Sequence, residues 1–136
     1  MSQENVEIVR RIYDEWATGR FGAGIDYFDE HVVFVVRPDF PEWGVFTGPA
    51  GVRDFMQRFL EQWERLTIEA KRIESVGDTV LAHVVQRAKG RASGIEGDLF
   101  YFMLFTFRGK KIVRLENLMD EGEALEAAGL QEQDGS

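Results

Sequence analysis

The chain has 136 residues, no cysteine and a formal net charge of -8, with 44% hydrophobic and 29% charged residues. A single domain of that length buries roughly two-thirds of its unfolded surface, enough for a core and a pocket. The acidic balance argues against a nucleic-acid partner, and the absence of cysteine excludes disulfides, thiolate metal sites and thiol nucleophiles. The polar start Met1–Asn5 lacks a signal-peptide core, and no apolar run reaches membrane-spanning length. The expected location is therefore the cytoplasm, with no membrane partner.

In chain order, Val6, Val9, Tyr13 and Trp16 recur at helical spacing and predict a helix from Gln3 to Thr18, with Ser2 as its cap and Gly19 as its terminator. A short second helix is expected near Ala23–Phe28. His31–Val36 reads as a strand, buried throughout because Val32-Val33-Phe34-Val35-Val36 is unbroken. Arg37–Thr47 holds two prolines with Trp43 and Gly44, so an ordered loop without regular structure is expected. Pro49 then suits the first turn of a third helix, whose stripe is Val52, Phe55, Met56, Phe59, Leu60 and Trp63.

From Leu66 the pattern changes to strands, over Thr67–Ser75, Thr79–Arg91, Ile95–Phe107 and Ile112–Met119. Gly77-Asp78, Ser93-Gly94 and Arg108-Gly109-Lys110 make the turns, so successive hairpins predict an antiparallel sheet. The third of these strands carries Leu99-Phe100-Tyr101-Phe102-Met103-Leu104-Phe105-Thr106-Phe107, which is apolar on both faces. One face can meet the helices of the same chain. The other calls for a second sheet or a second copy. Asp120 and Glu123 have capping-box spacing ahead of a last short helix that Gly129 and Leu130 would close.

Helices with one strand among them, then four long antiparallel strands and a terminal helix: this order resembles the nuclear transport factor 2-like superfamily. Gly109-Lys110-Lys111-Ile112-Val113-Arg114, the run Glu123–Leu130 and the segment Val84–Gly94 look like its SnoaL-like branch. The resemblance implies an α+β fold of the cystatin-like roll type, a cone-shaped curved antiparallel sheet wrapped around helices and a deep pocket. It implies one SnoaL-like domain over residues 1–130, leaving 131–136 as a disordered tail, and a homodimer formed through the convex sheet face.

Members of the superfamily include ketosteroid isomerase, scytalone dehydratase, polyketide cyclases and limonene epoxide hydrolase, so the fold alone does not choose a reaction. The isomerase's base, placed before a proline, falls here on Arg37, and its second acid falls on Met103. Its helix tyrosine matches Tyr13 only one residue out of register. That mechanism is not retained. The epoxide hydrolase's Asp-Arg-Asp set is missing too, because no carboxylate is expected on the inward face of the last strands.

The remaining candidates follow from strand parity. His83 and Arg87 share a face with Leu81 and Val85, read as the pocket face. His83 would then be an acid/base group and Arg87 an oxyanion or carboxylate partner. Asp39 is the substitute base if its loop folds inward. Asn117 and Met119 are expected to face the pocket from the last strand, Tyr101 and Met103 from the one before it. Tyr13, Trp16 and Trp43 are expected as aromatic lining, Trp43 at the mouth. For each, a purely structural role is the competing explanation. With two histidines and no cysteine, no metal site is expected, nor any cofactor. The resulting expectation is a small-molecule pocket protein that takes an apolar or aromatic compound. It would be either a cofactor-free isomerase, cyclase or dehydratase working by proton transfer, or a non-catalytic binding or dimeric interaction module.

Overall fold

The computed structural model describes residues 2–22 and 24–129. Ala23, Leu130 and the expected tail at 131–136 lie outside them. The first helix, α1, runs Ser2–Ala17, so Ser2 is its first helical residue rather than its cap. Val9, Ile12, Tyr13 and Trp16 are buried along its inner stripe. Gly19 ends it with φ of 89°, a left-handed turn that costs glycine little. The expected second helix is only a 3-10 turn over Ile25–Tyr27, because Phe28 is already extended.

Strand β1 spans Phe28–Val36. Val32, Phe34 and Val36 are buried while Val33 and Val35 are only half-buried, so this strand alternates rather than being covered on both faces. The segment after it is not wholly irregular. A short strand β2, Gly44–Thr47, folds back antiparallel on β1 with Val33 opposite Thr47. It lies beyond Pro38 and Pro41, so every residue in it keeps the backbone N–H that a ladder requires. Helix α2, Gly48–Glu61, has Pro49 in its first turn and buries Val52, Phe55 and Phe59. Trp63, read from sequence as the end of this stripe, instead opens the next strand.

Four strands complete the sheet: β3 (Trp63–Val76), β4 (Thr79–Gly90), β5 (Glu96–Arg108) and β6 (Lys111–Leu118). The curved, unclosed sheet has the order β2-β1-β6-β5-β4-β3. Every hairpin is antiparallel as expected, but β1 joins β6 in parallel, Phe34 beside Leu115. Bulges at Ala70/Arg72 and at Thr106/Phe107 interrupt the ladders, and such insertions bend and twist strands. Helix α3, Glu121–Ala128, starts with the Asp120 carboxylate accepting the Glu123 N–H at 2.9 Å.

The two sheet faces have different covers. Helices α1 and α2 pack on the inner face, where Val80, Ala82, Val84, Tyr101, Met103, Phe105 and Leu115 join the main core. On the outer face α3 covers only one end, where Leu81, Leu104 and Leu118 meet Ala124 and Ala128. Beyond that end the outer face is open: Phe100 is 65% exposed. Strand β5 is therefore apolar on both faces as read, with one face fully covered and the other covered in part.

Candidate functional site

A cavity of about 110 Å³ lies between the inner sheet face, α1, α2 and the loop after β1. Phe34, Phe55, Phe59, Trp16 and Trp63 form much of its wall. Its polar atoms come from Glu42, Gln86, Tyr101 and Asn117. A smaller void of about 30 Å³ adjoins it, sharing Trp16, Phe34, Met56 and Met103. A wider groove crosses β3, β4 and β5, but there Arg65 already pairs with Glu96 and Arg87 with Asp98.

The loop residues reach the cavity because the loop is pinned. Arg37 donates from Nε to Glu116 Oε2 at 2.6 Å, where β1 ends. The Phe40 N–H donates to the Arg37 carbonyl at 3.0 Å, and the Trp43 N–H to the Phe40 carbonyl at 3.2 Å. These turns bury Phe40 edge-on against Tyr101, with ring centroids 5.5 Å apart. Two residues on, Glu42 also lines the cavity, while Asp39 and Trp43 stay outside.

On the cavity wall the electrostatics single out two groups. Burial pushes the Glu42 carboxyl above the usual carboxylate range, because desolvation disfavours its charged form. Burial, helped by the field of Glu42, also holds the Tyr101 phenol well above its ordinary range, so it is a neutral donor at any ordinary pH. Tyr101 spends that donor on Gln86 Oε1 at 3.2 Å. Two buried atoms of the cavity wall have no partner: Asn117 Oδ1, an acceptor, and Trp63 Nε1, a donor. Buried polar atoms are normally paired, so these two are exceptions.

The residues picked from sequence divide sharply. Trp16, Tyr101, Met103 and Asn117 line the cavity. His83 and Arg87 do not, because the parity of β4 is opposite to the one read. Val80, Ala82, Val84 and Gln86 face in, and Leu81, His83, Val85 and Arg87 face out. His83 Nε2 lies 2.7 Å from Glu74 Oε2, its ring edge-on to Phe102. Arg87 pairs with Glu69 at 3.0 Å and with Asp98 at 3.6 Å. Tyr13 is buried behind the cavity and donates its hydroxyl to Met103 Sδ at 3.3 Å. Met119 packs half-buried against the main core without lining the cavity, Asp39 is exposed, and Trp43 is 65% exposed and does not line the cavity either. On β6, Ile112 and Leu115 both join the main core, because the register slips at the bulge opposite Thr106.

Glu42 and Gln86 are the residues that sequence reading missed. A carboxylate two residues beyond a buried Phe40 in a proline-pinned loop is the signal that could have found Glu42. Among the described residues, no group of three or more His, Asp or Glu is placed to hold a metal ion, and no helix is long and apolar enough to cross a membrane.

The family model of the SnoaL-like domain matches residues 9–115, which covers both the helical layer and the sheet that surround the cavity. The chain belongs to the SnoaL-like domain family. No curated protein matches it. Among solved structures, this SnoaL-like chain is similar to TerC bound to polyporic acid, with 18% identity, a TM-score of 0.74, and 90% of this chain and 98% of that one covered. A candidate SnoaL-like polyketide cyclase from Jannaschia sp. CCS1 gives 17% identity and a TM-score of 0.76, covering 93% and 92% of the two chains. A ketosteroid isomerase-like protein from Catenulispora acidiphila, in complex with trimethylamine, gives 17% identity, a TM-score of 0.70 and coverage of 91% and 93%. At such identities the likeness shows the SnoaL-like fold and carries no residue roles.

Proposed function

We propose that the cavity is the ligand site for a small, mostly apolar molecule, and that Glu42 is the group that exchanges a proton with it. The observation that carries this reading is a carboxyl with a raised pKa, set among aromatic rings at a cavity wall and without a cation beside it. A carboxylate whose pKa burial raises is a better base, and its acid form can return the proton. Asn117 Oδ1 and Trp63 Nε1 offer an acceptor and a donor that would orient a polar handle on the ligand. The reaction class is cofactor-free proton transfer, such as an isomerisation, cyclisation or dehydration. That related folds hold polyporic acid and trimethylamine supports a ligand-holding role for this fold.

The size of the cavity favours a second reading. About 110 Å³ is well below the 300 Å³ or so typical of drug-sized sites, and much of the wall is aromatic. A compact ligand held without turnover fits that volume equally well. Independently, the open outer face around Phe100 supports a homodimer formed through it.

The test uses a Trp43→Phe background. Trp16 and Trp63 then remain as the only indoles, and both line the cavity. Small ring compounds are titrated while their emission is followed. Saturable changes are expected, and a panel that leaves the emission untouched overturns the ligand-site reading. For each compound that binds, exchange of its acidic C–H protons in D2O is followed by NMR. Glu42→Gln is expected to slow that exchange by about 10²-fold or more. Binding without exchange in wild type leaves the binding-module reading.

A further inference from the structure

We infer that the ligand this cavity selects is a compact organic cation, a protonated amine, seated with its positive centre between Glu42 and the aromatic wall. The inference rests on the reading of the cavity as a ligand site and adds the charge of the occupant.

Three features of the wall converge on it. First, its lining includes seven aromatic rings and no lysine, arginine or histidine. Aromatic faces attract cations, most strongly where water is excluded. Secondly, the one formally charged group on the wall is a carboxylate. The Glu42 carboxyl is half-buried and has no cationic partner among the described residues. Asn117 is 8% exposed, and its Oδ1 is unpartnered. Gln86 Oε1 is already occupied by the Tyr101 hydroxyl. An ammonium N–H can satisfy Asn117 and Glu42, whereas an anion would meet a carboxylate and no compensating charge. Trp63 Nε1 and the amide N–H groups of Asn117 and Gln86 can donate to a second polar group on the same ligand.

Thirdly, partly buried carboxylates elsewhere in this chain have cations. Glu116 has Arg37 and Arg114, and Glu74 has Arg72. Glu42 departs from that pattern at the one place where a ligand could supply the missing charge. The upward shift of its pKa has the same origin: a desolvated carboxyl lacking a counter-ion. The net charge of -8 draws cations toward the protein at long range as well. A volume of about 110 Å³ limits the occupant to a few carbons around the charged centre.

The experiment compares three probes with one carbon body: tert-butylammonium, tert-butanol and pivalate. Each is titrated into the Trp43→Phe protein at neutral pH and constant ionic strength, with cavity indole emission as the readout. The expected result is a Kd for tert-butylammonium at least ten-fold below that of tert-butanol, and no saturation by pivalate. Glu42→Gln is expected to abolish the preference for the cation while keeping the weak binding of the alcohol. That retained binding also shows that the variant is folded. If tert-butanol binds as tightly as the ammonium, or if pivalate binds best, the cation inference is overturned and the ligand site stands. If none of the three binds, the ligand-site reading falls and the inference with it.

Discussion

Tyr101 and Gln86 hang from neighbouring strands on the same face of the sheet, and the Tyr101 hydroxyl donates to Gln86 Oε1 across 3.2 Å. Both side chains are buried, so the bond closes off two polar groups that would otherwise be orphaned beside the cavity. Tyr101→Phe removes the donor and leaves the Gln86 oxygen desolvated without a partner. Such a loss costs about 1–3 kcal/mol. Urea denaturation is expected to show that loss at an unchanged m-value. Tyr101→Phe combined with Gln86→Leu is expected to recover most of it, since both polar partners are then gone.

His83 sits three residues before Gln86 and therefore on the opposite face, where it meets Glu74 and Phe102. His83→Ala is expected to leave ligand binding in the cavity unchanged. It should lower stability by no more than about 1 kcal/mol, because partly exposed ion pairs contribute little. Calorimetric titration with any cavity ligand, beside a denaturation curve, checks both. A large loss of affinity on His83→Ala would put the site on the outer face instead.

That pair of neighbours also explains where the sequence was legible. On β6, Leu115, Asn117 and Met119 alternate with charged Arg114 and Glu116, so parity could be read and Asn117 was found. On β4, Val80, Leu81, Ala82, Val84 and Val85 are apolar on both alternations, because α3 covers the outer side of Leu81 just as α1 and α2 cover the inner side of Val80. Nothing local distinguishes the faces there, so the sequence does not show that the face of Gln86, rather than that of His83, meets the cavity. The fold order, the hairpins and both ends of α3 follow from local turn and capping chemistry, and they were legible. The parallel joining of β1 to β6 and the inward turn of Glu42 depend on contacts remote in sequence, such as Arg37 to Glu116, and they were not.

Glu42 gives the chain a specific pH response. Its folded pKa lies above its unfolded value, so the folded state binds the proton more tightly. Below the unfolded pKa both states are protonated and nothing is lost. As pH rises from the ordinary glutamate value of about 4.3 through the raised folded value, ionisation favours the unfolded chain and stability falls. Glu42→Gln is expected to flatten that part of the stability profile and to melt higher than wild type at pH 7. Thermal melts every half pH unit between pH 4 and pH 8 check it. A variant with the wild-type slope would show that Glu42 is not the group concerned.

Asn117 should show function held at the expense of stability. Its Oδ1 is buried and unpartnered, a state that costs free energy in the empty protein. Asn117→Leu keeps a similar volume and removes the orphan. It is expected to raise stability by about 1 kcal/mol and to weaken any ligand that binds with a polar handle. Paired denaturation and binding curves decide the matter. A variant that is both less stable and unchanged in affinity would mean that Asn117 serves the framework alone.

The outer face carries the last prediction. Phe100 is 65% exposed on β5 and Ile95 is 72% exposed just before it, while His83 and Phe102 lie half-buried beyond. Large apolar side chains grouped on an open sheet face mark association sites. A stable pair buries roughly 800 Å² of surface on each partner. Sedimentation at micromolar concentration is expected to give twice the chain mass. Phe100→Glu is expected to shift the protein to the monomer without altering its fold, since the substituted carboxylate would reach solvent in the free chain and be buried in the pair. A wild-type monomer under those conditions, or a Phe100→Glu dimer, would remove this face as the interface.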